Sequence, residues 1–293
     1  MTPGTNAKCW AAHTGPIACN PQRFNEILAA VKAGLWPMRA GPLDGVEDEK
    51  APPRPGYSLA GDGVAVVSIE GMMTKHDSKY GGTTSTARTR RALRAAVQDP
   101  KVSSIALVLS SPGGYVMGTQ DLADDVAAAN EVKPVVAYCE DLCCSAAYWV
   151  ASAASKVYAN ASAEVGSIGV FMVVYDTSKA AELEGVKAHL VTTGPLKGAG
   201  ADGVPVTDEH LAAWQTEVDA VMEAFGGTVR KGRGMSAAQF SKVATGGIWT
   251  AKEAKDLGLI DGVKPLDAVL AAMPKGRRSR AQAADLGIRL AQA

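Results

Sequence analysis

The chain has 293 residues, 47% hydrophobic and 20% charged, enough to bury a full core in one large or two small domains. Thirty basic and thirty acidic side chains cancel, which excludes the global field that draws a protein to nucleic acid or to a membrane surface. The longest uncharged runs, 142–155 and 165–175, fall short of the roughly 18 to 20 apolar residues that span a bilayer, so no membrane span is expected.

The N-terminus lacks the charged and apolar regions of a secretory signal. Five cysteines, at 9, 19, 139, 143 and 144, show no regular pairing and no CxxC spacing suited to zinc. Reduced thiols in the cytoplasm are the simplest account.

In chain order, residues 21–36 carry apolar side chains at Phe24, Ile27, Leu28, Val31 and Leu35, the spacing of an amphipathic helix. A proline-rich, aperiodic stretch to Tyr57 reads as a linker. Three regions follow: 1–57 as helix and linker, 58–273 as the main domain, and 274–293 as a tail with the basic cluster Lys275 to Arg280.

Within the main domain strands and helices alternate. Strands are predicted at 63–72, 102–110, 134–139, 157–159, 168–174 and 188–192. Helices are predicted at 85–98, 121–130, 145–154, 177–184, 207–230, 236–243, 250–257 and 265–273, with Thr207 as an N-cap followed by Asp208 and Glu209. The nearly continuous apolar strands imply a buried, largely parallel sheet in an α/β fold.

Ser145 lies where a strand-to-turn stretch, Asp141-Leu-Cys-Cys-Ser-Ala-Ala-Tyr-Trp149, becomes a helix. A helix N-terminus stabilises negative charge on a nucleophilic oxygen. The alternative is a plain N-cap, a role serine fills routinely. Upstream, the glycines of Ser111-Pro-Gly-Gly114 let backbone N–H groups face the carboxyl edge of the sheet. Gly113, Gly114 and Ala146 are the candidate oxyanion donors, against a simple Pro-Gly turn.

A base must take the serine proton, and His13, His76, His189 and His210 have no triad-like context. A lysine serves when burial keeps its amine free. Lys197, in Thr193-Gly-Pro-Leu-Lys-Gly-Ala-Gly200, is flanked by small residues and by no acid. Ser167, in Val165-Gly-Ser-Ile-Gly-Val170, can orient that amine or satisfy a turn. Cys143 and Cys144 lack the neighbouring cation that a reactive thiolate needs and read as packed residues. The set points to a Ser/Lys hydrolase that needs no metal and no cofactor.

The ordered motifs, closed by Gly247-Ile-Trp-Thr-Ala-Lys-Glu-Ala-Lys-Asp-Leu-Gly-Leu-Ile-Asp261, resemble the signal peptide peptidase A family of serine peptidases over roughly residues 63–269. Within it the chain is similar to the phage and prophage head-protease branch of the capsid protein C type. The resemblance implies Ser145 as nucleophile, Lys197 as general base, Ser167 as the hydroxyl positioning it and Gly114 as oxyanion donor. It implies a crotonase/ClpP-like spiral of βαβ units with C-terminal helices, a homo-oligomer, and a peptide or protein substrate. Phage capsid or scaffold proteins are the implied partners, in the cytoplasm or a phage prohead. Two other readings share the fold: a non-catalytic assembly subunit, and a crotonase-type acyl-CoA enzyme.

Overall fold

Strand β6 (Ser104–Ser111) is buried along nearly its whole length, as a strand must be when helices cover a parallel sheet. In the computed structural model, which describes residues 17–19 (backbone only), 56–61, 63–76 and 82–274, β6 lies at the centre of the main sheet. Its neighbours are β3 (Val64–Glu70) and β8 (Val135–Cys144), both parallel to it. The short β2 (Ser58–Ala60) closes one edge antiparallel to β3. The predicted helix at 21–36, most of the linker and the basic tail lie outside the described residues.

Beyond β8 the sheet divides. The first half of β8 pairs in parallel with β9 (Lys156–Ala159), which pairs with β12 (Gly262–Val263). Its second half pairs in parallel with β10 (Glu164–Gly166), and β11 (Ile248–Thr250) lies antiparallel on β10. One long strand thus serves two neighbours in succession. After a register shift Cys143 pairs with Ser111 of β6, and the strand carries the chain to Ser145.

A smaller sheet has the order β1 (Ile17–Cys19), β7 (Gly113–Tyr115), β4 (Met72–Thr74), β5 (Thr83–Ser85). Gly71, at φ 66°, ends β3 and starts β4, splitting the single strand predicted at 63–72. That backbone conformation favours glycine.

Helices α1 (Thr86–Gln98), α2 (Thr119–Val132) and α3 (Ala146–Ser152) pack with the sheet around one core that includes Leu93, Leu107, Val126 and Trp149. The long α5 (Asp208–Arg233) lies against α3: Trp149 stacks on Phe225 with centroids 4.8 Å apart, and its indole N–H donates to Thr228 Oγ1 at 3.1 Å. Val64, Val108, Val136 and Tyr138 form a second cluster with Val269 and Met273, at and just beyond α8 (Leu266–Ala272), the last helix among the described residues. Arg90 and Arg94 of α1 hold Asp125 of α2 at 2.7 and 3.1 Å.

The remaining helices are α4 (Ser178–Leu183), α6 (Ala237–Val243) and α7 (Ala251–Asp256). Ser236 and Thr250 cap the last two through capping boxes. The strands expected at 168–174 and 188–192 do not form. Ser167, at φ 52°, turns the chain out of β10 just before the first of them, and neither run finds a ladder partner beyond one isolated bridge at Phe171. None of the described helices is long and apolar enough to cross a membrane.

Candidate active site

Ser145 is the N-cap of α3, yet its side chain makes no capping hydrogen bond. Its φ is 54° and its ψ −119°, a conformation that costs a non-glycine residue about 1–3 kcal/mol and survives only where the surroundings impose it. Two backbone hydrogen bonds and the burial of the following helix do so here. Its N–H donates to Gly166 O at 2.8 Å, its carbonyl accepts from Trp149 N–H at 2.8 Å, and every residue of α3 is buried. Ser145 Oγ stands 3.4 Å from Gly169 O, a long contact for a hydroxyl donor. The side chain is therefore free of the helix it precedes.

Ser167 shares this strain. Among the described residues, Ser145 and Ser167 are the two non-glycine positions with positive φ. The parallel register places them together, since Cys144 pairs with Gly166 and each serine is the first residue after its strand. Ser167 N–H donates to Gly247 O at 2.6 Å, which ties the turn to the segment leading into β11. A Cβ at Gly166 would sit 2.5 Å from the Trp249 ring. That position must stay bare for Trp249 to close over β10.

The glycine pair lies on β7. Gly114 faces the backbone of Met73 in β4 so closely that an added Cβ would collide with the Met73 carbonyl. Gly113, at φ 97°, donates its N–H to Ser111 Oγ at 3.2 Å, and Ser111 Oγ donates to Gly71 O at 2.6 Å. The Gly113 donor is thus already engaged. Ala146, the first residue of α3, has a backbone N–H at the helix end, where such donors lack an intrahelical partner. Helix α3 packs on β7, which brings the Ser145 turn beside the glycine strand.

Lys197 lies elsewhere in the chain's hydrogen-bonding pattern. It is exposed, in a turn between α4 and α5, with its N–H on Gly194 O at 3.1 Å. No hydrogen bond joins its amine to Ser145 or Ser167 within the single chain, among the described residues. The loop is fixed by His210 in the first turn of α5. Its Nδ1 accepts from Thr207 N–H at 3.3 Å, so Nε2 carries the proton and donates to Pro195 O at 3.1 Å. His210 is therefore a positioning residue for the lysine loop.

Cys143 and Cys144 are fully buried, and burial pushes the Cys143 thiol well above the ordinary thiol range. A thiolate is disfavoured there. The residues that sequence reasoning missed are backbone partners: Gly166 and Gly247, which hold the two serine turns, and Gly169, which faces Ser145 Oγ. Carbonyl roles carry no side-chain signature. Only the glycines flanking Ser167 hinted at them.

Comparison with known proteins places this geometry in context. Capsid assembly protease C of Escherichia phage lambda is 33% identical over 212 residues, covering 71% of this chain and 48% of the phage protein. Protease 4 of Salmonella typhi is 30% identical over 224 residues, covering 73% of this chain and 35% of its own. The chain thus spans about half or less of the length of these relatives. A solved membrane-bound stomatin-specific protease aligns over 73% of this chain and 85% of its own, at 16% identity and a TM-score of 0.45. The sequence pattern described as peptidase family S49 matches residues 127–280, a stretch that holds Ser145, Ser167 and Lys197 and makes up just over half of the molecule. The chain belongs to peptidase family S49.

Proposed function

We propose that the chain is a serine endopeptidase whose peptidase unit is 58–273, with Ser145 as nucleophile and Lys197 as general base. The observation that carries this reading is the side-by-side strain of Ser145 and Ser167. A serine held against its backbone preference at a helix N-terminus, with its hydroxyl released from capping, serves a purpose other than helix formation.

The reaction follows from the groups present. The Lys197 amine takes the Ser145 hydroxyl proton as Oγ bonds to the peptide carbonyl carbon. The oxyanion accepts hydrogen bonds from the Gly114 and Ala146 N–H groups, each worth about 2.7–4 kcal/mol by analogy with measured oxyanion donors. The lysine ammonium protonates the leaving amine, and water activated by the same amine hydrolyses the acyl-enzyme. Ser167 orients the amine.

Ser145 is fully buried while Lys197 is exposed, so their meeting requires the lysine lobe to pack against an active-site turn. The lobe suits packing between copies: Tyr175, Leu183 and Val191 are 69%, 90% and 96% exposed, an apolar surface of the kind that marks an interface. A homo-oligomer supplies it. The phage relative's role in capsid assembly supports a phage or prophage head protease acting on capsid or scaffold proteins.

Ser145→Ala and Lys197→Ala should each abolish hydrolysis of a fluorogenic peptide while circular dichroism stays unchanged, and a fluorophosphonate should label wild type at Ser145 alone. Near-wild-type turnover by either variant would refute the assignment.

A further inference from the structure

Strand β7 has two edges, and one is held by β4 through the Met73–Gly114 pairing. The other edge is filled by the chain's own β1, antiparallel, with Ile17 opposite Tyr115, Ala18 opposite Gly114 and Cys19 opposite Gly113. β1 is three residues long and reaches β7 from far upstream in sequence.

An extended peptide is held at a cleft most simply by adding to a strand edge, where main-chain hydrogen bonds supply affinity without regard to side chains. The β7 edge is suited to that use. It bears Gly114, it lies against the helix that begins after Ser145, and β4 occupies its opposite side. A strand laid there puts one backbone unit opposite Gly114, the proposed oxyanion donor. Ala18 has that place.

We propose that residues 17–19 are a built-in occupant of the substrate edge: they hold β7 as a peptide substrate would, and a substrate strand binds only by displacing them. This rests on the reading of Ser145 and Gly114 given above. A strand that merely protects an exposed edge would behave oppositely, because breaking it would loosen β7 and lower activity.

The test uses the full chain. In an antiparallel pair alternate residues turn their N–H groups towards the partner, and proline removes that donor. Whichever set faces β7, either Ala18→Pro or the double variant Ile17→Pro/Cys19→Pro breaks the ladder. In that variant the rate of fluorophosphonate labelling of Ser145 should rise about tenfold, the amount expected from losing one or two hydrogen bonds. KM for a fluorogenic peptide should fall with kcat unchanged. Over the concentration range in which sedimentation shows the assembly intact, the labelling rate of wild type should not change on serial dilution, as an intramolecular occupant demands.

Hydrogen exchange at Gly114 and Tyr115, followed in a Ser145→Ala background, should quicken in the same variant. Unchanged labelling, KM and exchange in both variants would overturn the proposal, and so would reduced labelling. Absence of labelling in every form, wild type included, would overturn the Ser145 assignment instead, a failure that the exchange measurement does not share.

Discussion

Ser145 pays for its position in backbone strain, and that strain gives a measurement separating chemistry from stability. Glycine tolerates positive φ without the Cβ penalty. Ser145→Gly should therefore be more stable than Ser145→Ala by about 1 kcal/mol in denaturant unfolding, although both lack the proposed nucleophile. Equal stability would show that the turn is relaxed. At this scale the placement of Ser145 between a strand and a helix was readable, because a serine followed by small residues at such a switch is a recognisable pattern. The torsion angles and the missing capping hydrogen bond, which bear on the capping alternative, cannot be read from sequence. Gly113 read the same as Gly114 in sequence, yet only Gly113 N–H is engaged by Ser111 Oγ.

Between elements, two contacts can be tested. Gly232 of α5 passes so close to Ser152 of α3 that a Cβ would overlap the Ser152 carbonyl, whereas Gly227 of the same helix has open space around it. Gly232→Ala should destabilise by about 1–3 kcal/mol through overpacking, while Gly227→Ala should stabilise by about 0.5–1 kcal/mol through helix entropy. Chemical denaturation of both variants checks the pair. Lys133, buried beyond the end of α2, donates from Nζ to Ala96 O at 2.9 Å and Asp99 O at 2.7 Å at the end of α1.

Burial lowers the Lys133 pKa from 10.5 to about 8. The unfolded chain then binds this proton more tightly than the folded one between those values, so its contribution to stability rises with pH across that window. Wild type should gain on Lys133→Met from pH 8 to pH 10, by less than about 1.4 kcal/mol per pH unit. A difference that is flat with pH would refute it. This lysine sits at the opposite end of β8 from Ser145, which separates it from the chemistry.

The long periodic elements were legible: α1, α2 and α5, and the strands β3, β6 and β8, follow from apolar spacing. The short strands β7, β10 and β11 were not, because each has three residues and gains its conformation from the neighbours it pairs with. Conversely, the β-branched run at 168–174 looked like a strand and found no ladder.

For the whole molecule, the exposed apolar lobe makes assembly the governing question. Leu183→Asp with Val191→Asp should shift the chain to a smaller species in sedimentation and lower peptidase activity with it, leaving the circular dichroism intact. An unchanged sedimentation coefficient would remove the lobe from the interface. The α/β class and the order of the motifs could be read from sequence; the reach of β1 to β7 could not, since three residues carry no periodicity.

The tie between Ser167 N–H and Gly247 O, with β11 pairing on β10, bears on when during synthesis the proposed active site is completed. The turn that holds Ser167 beside Ser145 is completed by residues translated long after Ser145 itself. A polypeptide still emerging from the ribosome lacks that clasp until Gly247 to Thr250 have been added. Synthesis thus runs almost to the end of the proposed peptidase unit before the two strained serine turns are held side by side.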